Sequence, residues 1–120
     1  MVPDMYGYLR KRGRRFKGIL KRWFLLHSNF LYQFKYAHDT KPRHVILLQG
    51  CQIKPISLGD EFEYGIELVV GINTIRQSKR ILFASSNKEQ KLWINALKTA
   101  SDAYYIEDFF DIISDKPLGK

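Results

Sequence analysis

Apolar and polar residues alternate from Tyr6 to Arg12, which predicts a first strand. A basic stretch punctuated by Gly13 and Gly18 follows. Lys21–Leu26 then reads as a second strand, dense in aromatic and aliphatic residues. His27, Ser28 and Asn29 form a short turn into a third strand, Phe30–Lys35, and the three strands make a meander. Tyr36–Arg43, with Asp39 and Pro42, reads as a loop. Further strands are predicted at His44–Leu48, Cys51–Ile56, Glu63–Val70 and Arg80–Ala84, with breaks at Gly50, at Gly59–Asp60 and in a polar turn region over 71–78. The period then changes. Trp93, Ala96, Leu97 and Ala100 fall at i, i+3, i+4 and i+7, one face of a helix. Ser86 and Glu89 stand at capping-box spacing, so the helix is expected over about 87–101. Seven short strands and one amphipathic helix make a mainly β fold, a small antiparallel barrel or sandwich with the helix closing one end. One domain is expected over 5–101 and an acidic, aromatic extension over 102–120, in which Tyr104–Ile113 is a candidate second short helix.

Composition agrees with a folded domain: 45 % of the 120 residues are hydrophobic, enough to close a core without staples. Cys51 is alone, so no internal disulfide framework forms. It is expected to be a buried small residue in a reducing, cytosolic setting. No apolar run reaches the roughly 20 residues that span a bilayer. The N-terminus lacks a signal-peptide shape, and Val2 stands where myristoylation needs glycine. His27, His38 and His44 are scattered, without convergent Cys or acid, so neither a metal nor a catalytic site is expected. No phosphate loop, nucleophile elbow or paired-carboxylate motif is evident, and the chain is expected not to be an enzyme and to need no cofactor.

Charge adds direction. Residues 1–48 carry eleven Lys/Arg against Asp4 and Asp39, net +9, whereas 102–120 carry a net −3. No acid lies between Met5 and His38. An acidic partner is implied for the N-terminal half: a membrane surface, a phosphorylated small molecule or nucleic acid. Eight of the cations crowd between Arg10 and Arg22. Strand alternation puts Leu9 with Lys11, and Arg22 with Phe24 and Leu26. If Leu9 and Phe24 enter the core, Lys11 and Arg22 follow them to the open end of the barrel, under Arg14, Arg15 and Lys17 of the loop. Such a site suits phosphomonoesters. Phe16, Ile19 and Leu20 put apolar groups beside these cations, where they can enter a bilayer interface. Nucleic-acid binding is not expected, because Trp23, Phe24 and Phe34 occupy strand positions read as core rather than as a stacking surface.

Gly7-Tyr8-Leu9-Arg10-Lys11, Lys21-Arg22-Trp23-Phe24-Leu25-Leu26 and Leu31-Tyr32-Gln33-Phe34, with the helix Trp93-Ile94-Asn95-Ala96-Leu97, resemble a pleckstrin homology (PH) domain over roughly 5–101. The chain's brevity is also similar to that of the small acylated PH proteins of apicomplexan parasites. The family resemblance implies a seven-stranded antiparallel barrel of two near-orthogonal sheets, capped by the C-terminal helix. Phosphoinositide-binding members have a lysine ending the first strand, then a basic residue, any residue and an arginine opening the second. Lys11 and Arg22 match, and Leu20 replaces the middle cation. Arg15, Lys17 and Arg43 fit cationic positions used by the Arf-exchange-factor PH domains, and Gln33 replaces a third-strand tyrosine. The resemblance implies a monomeric module recruited to the cytosolic face of a membrane by a phosphoinositide or by phosphatidic acid, which needs fewer stereospecific contacts. The alternative it leaves is a protein-interaction module of the same fold, with the acidic aromatic tail or barrel surface as the docking element.

Overall fold

A computed structural model describes residues 2–12, 18–71 and 77–102. It shows seven antiparallel strands, β1 (Met5–Arg12), β2 (Ile19–His27), β3 (Phe30–Phe34), β4 (His44–Leu47), β5 (Gln52–Ile56), β6 (Gly65–Val70) and β7 (Ser78–Phe83), followed by helix α1 (Asn87–Asp102). The strands hydrogen-bond in the order β4-β3-β2-β1-β7-β6-β5. The junction of β1 with β7 is thin, a single register pair of Arg10 with Phe83. Pro55 sits in β5, an edge strand of the sheet, the kind of strand that tolerates a residue without an N–H.

The inward face follows from alternation. Leu9, Phe24, Leu26, Leu31, Ile46, Ile53, Ile66, Leu68 and Leu82 are all buried. Register places Gly7 opposite Phe24 and Phe24 opposite Gln33, so these share that face. Trp93 is 1 % exposed at the centre of the cluster, with Ile94, Leu97 and Ala100 along the same side of α1. Removing this much apolar side-chain surface from water is what closes the barrel.

The helix starts as a capped element. The amide of Glu89 donates to Ser86 Oγ at 3.1 Å, and the amide of Gln90 donates to the Ser86 carbonyl. The Glu89 carboxylate turns to the Ser85 hydroxyl, which donates to it. The helix end is pinned as well. Asn29 Nδ2 donates to the Ala100 carbonyl at 2.7 Å, and the Gly50 amide donates to the Ser101 carbonyl at 3.0 Å. These two bonds hold the last turn of α1 against the β2–β3 and β4–β5 turns, satisfying carbonyls that a helix end leaves open.

Three boundaries differ by two residues from the sequence expectation, and several others by one. β2 begins at Ile19, not Lys21, so Ile19 and Leu20 are strand residues rather than loop residues. A single 3-10 turn, Asp60–Phe62, precedes β6, which begins at Gly65. β7 begins at Ser78 rather than Arg80. Of the three aromatics assigned to the core, only Phe24 belongs there. Trp23 and Phe34 pair with each other on the opposite face of the sheet and are half-buried, as period-two alternation requires of neighbours of a buried residue. The candidate helix Tyr104–Ile113 lies outside the described residues.

Candidate functional site

The open end of the barrel is built where β1 ends and β2, β4 and β7 begin. An open cleft of about 420 Å³ lies there. Its floor is Phe24, Ile46 and Leu82, all buried, together with Gln33, which is 3 % exposed. Its rim carries Lys11, Arg12, His44, Lys79 and Arg80. Among the described residues no acidic one lines it. Cations over an apolar, acid-free floor meet a lower local dielectric than cations on an open surface, so they hold an anion more strongly there.

Local sequence explains how each group arrives. Lys11 follows Leu9 on the inward face of β1 and pairs with Leu20 of β2. His44 pairs with Gln33, whose carbonyl accepts the Arg43 amide at 2.6 Å, which closes the start of β4 onto the end of β3. Arg80 pairs with buried Leu68 and alternates with buried Leu82, so it points to the same side as Lys11. Arg12 and Lys79 of the rim each hold a partner away from the cleft. The Arg12 guanidinium lies 4.5 Å from the centre of the Phe62 ring, a cation–π contact. Lys79 Nζ lies 3.5 Å from Glu67, which also holds Lys54 at 3.4 Å.

The residues expected from sequence separate into three groups. Lys11 lines the cleft. Arg22 is half-buried opposite Leu9, on the expected face, but it does not line the cleft, and its guanidinium donates to the Lys21 carbonyl at 3.2 Å. Arg43 is exposed next to His44 at the edge of the opening. Ile19 is 41 % exposed on the outward face, whereas Leu20 is half-buried on the inward face beside Lys11. Arg14, Arg15, Phe16 and Lys17 lie outside the described residues. Arg80 and His44 were not anticipated at the site. Period-two spacing in the sequence puts Arg80 on one face with Ser78 and the apolar Leu82 and Ala84, but does not say which other cations that face meets.

Elsewhere, Cys51 is buried, its thiol donates to the Leu47 carbonyl at 3.5 Å, and burial pushes its pKa up. Among the described residues no group of three or more His, Cys, Asp or Glu is placed to hold a metal ion. No helix among them is long and apolar enough to cross a membrane.

The PH domain family profile matches residues 3–102. Sesquipedalian-1 of Mus musculus is 35 % identical over 101 residues, covering 84 % of this chain and 36 % of that protein. Rho GTPase-activating protein 25 of Homo sapiens is 32 % identical over 101 residues, covering 80 % of this chain and 16 % of its own length. The chain thus spans well under half of these relatives. Among solved structures, the C-terminal PH domain of pleckstrin in complex with D-myo-Ins(1,2,3,5,6)P5 superposes with a TM-score of 0.68 at 30 % identity, over 83 % of this chain and 96 % of that one.

Proposed function

Because the chain belongs to the PH domain family, we propose that it is a non-catalytic module that binds anionic phospholipid head groups at the open end of its barrel and is thereby recruited peripherally to the cytosolic face of a membrane. The observation that carries this reading is the cleft itself, with Lys11, His44 and Arg80 around an apolar floor and no acid among the described residues that line it. The bound inositol pentakisphosphate in the pleckstrin relative supports the same ligand chemistry.

Within this proposal Lys11 and Arg80 meet the phosphate, and Arg43 and Arg22 strengthen the surrounding field. Arg14, Arg15 and Lys17, which lie between Arg12 and Gly18 in the sequence, would add further cations. Phe16 and the exposed Ile19 would enter the interface, with Leu20 less accessible because it turns inward beside Lys11. Leu20 and the buried Gln33 leave fewer donors than a polyphosphorylated inositol can use. A phosphomonoester therefore suits the cleft, borne by a phosphoinositide or by phosphatidic acid. The similarity to small acylated apicomplexan proteins rests on chain length and has no part in this reading.

Co-sedimentation with liposomes tests it. Vesicles containing a phosphoinositide or phosphatidic acid should pull the protein down at physiological salt, and phosphatidylcholine vesicles should not. Absence of binding to every anionic vesicle would sink the proposal.

A further inference from the structure

The outward face of the β1–β4 half of the sheet is apolar to a degree that an isolated domain has no use for. Register puts Tyr6 opposite Leu25, Leu25 opposite Tyr32, Tyr32 opposite Val45 and Phe30 opposite Leu47, so all six side chains share one face. Tyr6 is 60 % exposed, Val45 and Leu47 are 50 % exposed and Phe30 is 39 % exposed. A contiguous exposed patch of this kind marks a docking surface. The four strands contain no Asp or Glu, whereas Arg10, Lys21 and His27 lie on the same outward face.

The chain itself supplies a matching segment at the right place. The bonds from Asn29 to Ala100 and from Gly50 to Ser101 bring the end of α1 to the turns that flank Phe30 and Leu47. The chain therefore leaves the described region at the corner of this face. Residues 103–113, Ala-Tyr-Tyr-Ile-Glu-Asp-Phe-Phe-Asp-Ile-Ile, follow at once. They carry Glu107, Asp108 and Asp111, no cation, and seven large apolar or aromatic residues. Crossing from β4 to β1 takes about 14 Å at the usual strand spacing. Eleven residues reach about 16 Å as a helix and about 36 Å extended. The cleft, by contrast, is at the far end of β2, a strand length of about 30 Å from this exit.

We propose that residues 103–113 cover the outward face of β1–β4 within the same chain, with Phe109, Phe110, Ile112 and Ile113 set on Phe30, Tyr32, Val45 and Leu47. Apolar surface is then removed from water on both sides, and the segment's carboxylates face four strands without acids. The tail is thus a structural part of the domain and leaves the cleft open.

Nuclear Overhauser contacts in the full chain, without lipid, test this. Ring protons of Phe109 and Phe110 should show contacts to the Val45 and Leu47 methyls, and isotope-filtered mixtures of two labelled pools should show none between chains. Phe109→Ser with Phe110→Ser should shift the Val45 and Leu47 methyl resonances, and Val45→Lys with Leu47→Lys should abolish the contacts. The indole resonance of Trp93 would stay in place in both variants, reporting an intact barrel. Contacts seen only between differently labelled chains would overturn the proposal in favour of a second copy. So would absent contacts with patch resonances that ignore the tail substitutions, which would leave the face open to a lipid or another protein.

Discussion

The carbonyl oxygen of Ile56 lies 2.9 Å from where a β-carbon on Gly65 would stand, and Ile56 Cγ1 lies 2.8 Å from the same point. The two residues are register partners at the end of the β5–β6 ladder, so the glycine lets two backbones meet without a side chain between them. Gln90 depends on the same spot, since its Nε2 donates to the Gly65 carbonyl at 2.8 Å and ties α1 to β6. Gly65→Ala should therefore cost about 1–3 kcal/mol, because the obstacle is backbone and cannot rotate away. Urea denaturation checks this. Adding Ile56→Ala would relieve only the contact with Cγ1, so most of the loss should persist in the double variant.

The rim of the cleft predicts an order among cations. Lys11 and Arg80 line it, while the Arg22 guanidinium rests on the Lys21 carbonyl. Each cation near an anionic surface contributes roughly 1 kcal/mol, about a fivefold change in partitioning. Lys11→Gln and Arg80→Gln should each weaken vesicle binding by about that factor, and the pair by roughly thirtyfold. Arg22→Gln should do less than either. Partitioning onto phosphatidic acid vesicles, repeated at two salt concentrations, reads the order directly. An Arg22 effect larger than that of Lys11 would move the phosphate toward β2. Raising salt should weaken every variant, with the smallest change in the double substitution.

These residues also show where sequence reasoning reaches and where it stops. Alternation put Lys11 on the inward face because Leu9, two positions before it, is unambiguously a core residue. Seven strands and the helix were legible for the same reason, to within about two residues at most ends. Arg80 was not legible as a site residue, because its meeting with Lys11 depends on β7 pairing with β1 across some seventy positions of sequence. The outward apolar face was hidden by composition. In Trp23-Phe24-Leu25-Leu26 every position is apolar, so hydrophobicity alone cannot say which side is core. The turn Asp60–Phe62 escaped notice because Phe62 is held by Phe83, 4.7 Å away between ring centres, and by Arg12, neither of which is local.

Burial makes the single thiol a pH probe. Desolvation raises the Cys51 pKa above its ordinary value of 9.0, so the folded state holds the proton more tightly than the unfolded chain. A raised folded pKa gives stability that is fully present below the unfolded value and lost as pH rises through the folded one. Folding stability should therefore decline in the alkaline range, and Cys51→Ala should flatten that part of the profile. Alkylation by iodoacetamide at neutral pH should be slow in the native protein and fast in urea. Rapid native labelling would show that the site opens readily.

Glu67 links stability to the cleft. Its side chain is only 10 % exposed, yet it sits between Lys54 at 3.4 Å and Lys79 at 3.5 Å, joining β5, β6 and β7 by charge. The two lysines are largely solvated, so the pairs contribute modestly, about 1 kcal/mol together. Glu67→Gln should lower stability by about that amount in urea denaturation. It should also strengthen binding to anionic vesicles, because it removes a negative charge and frees Lys79, which already stands on the rim of the cleft. A gain of about fivefold matches one additional cation. Lys79→Gln in the same background should cancel that gain while leaving the stability loss in place. If Glu67→Gln leaves vesicle binding unchanged, Lys79 does not turn toward the ligand, and the working cations of β7 reduce to Arg80.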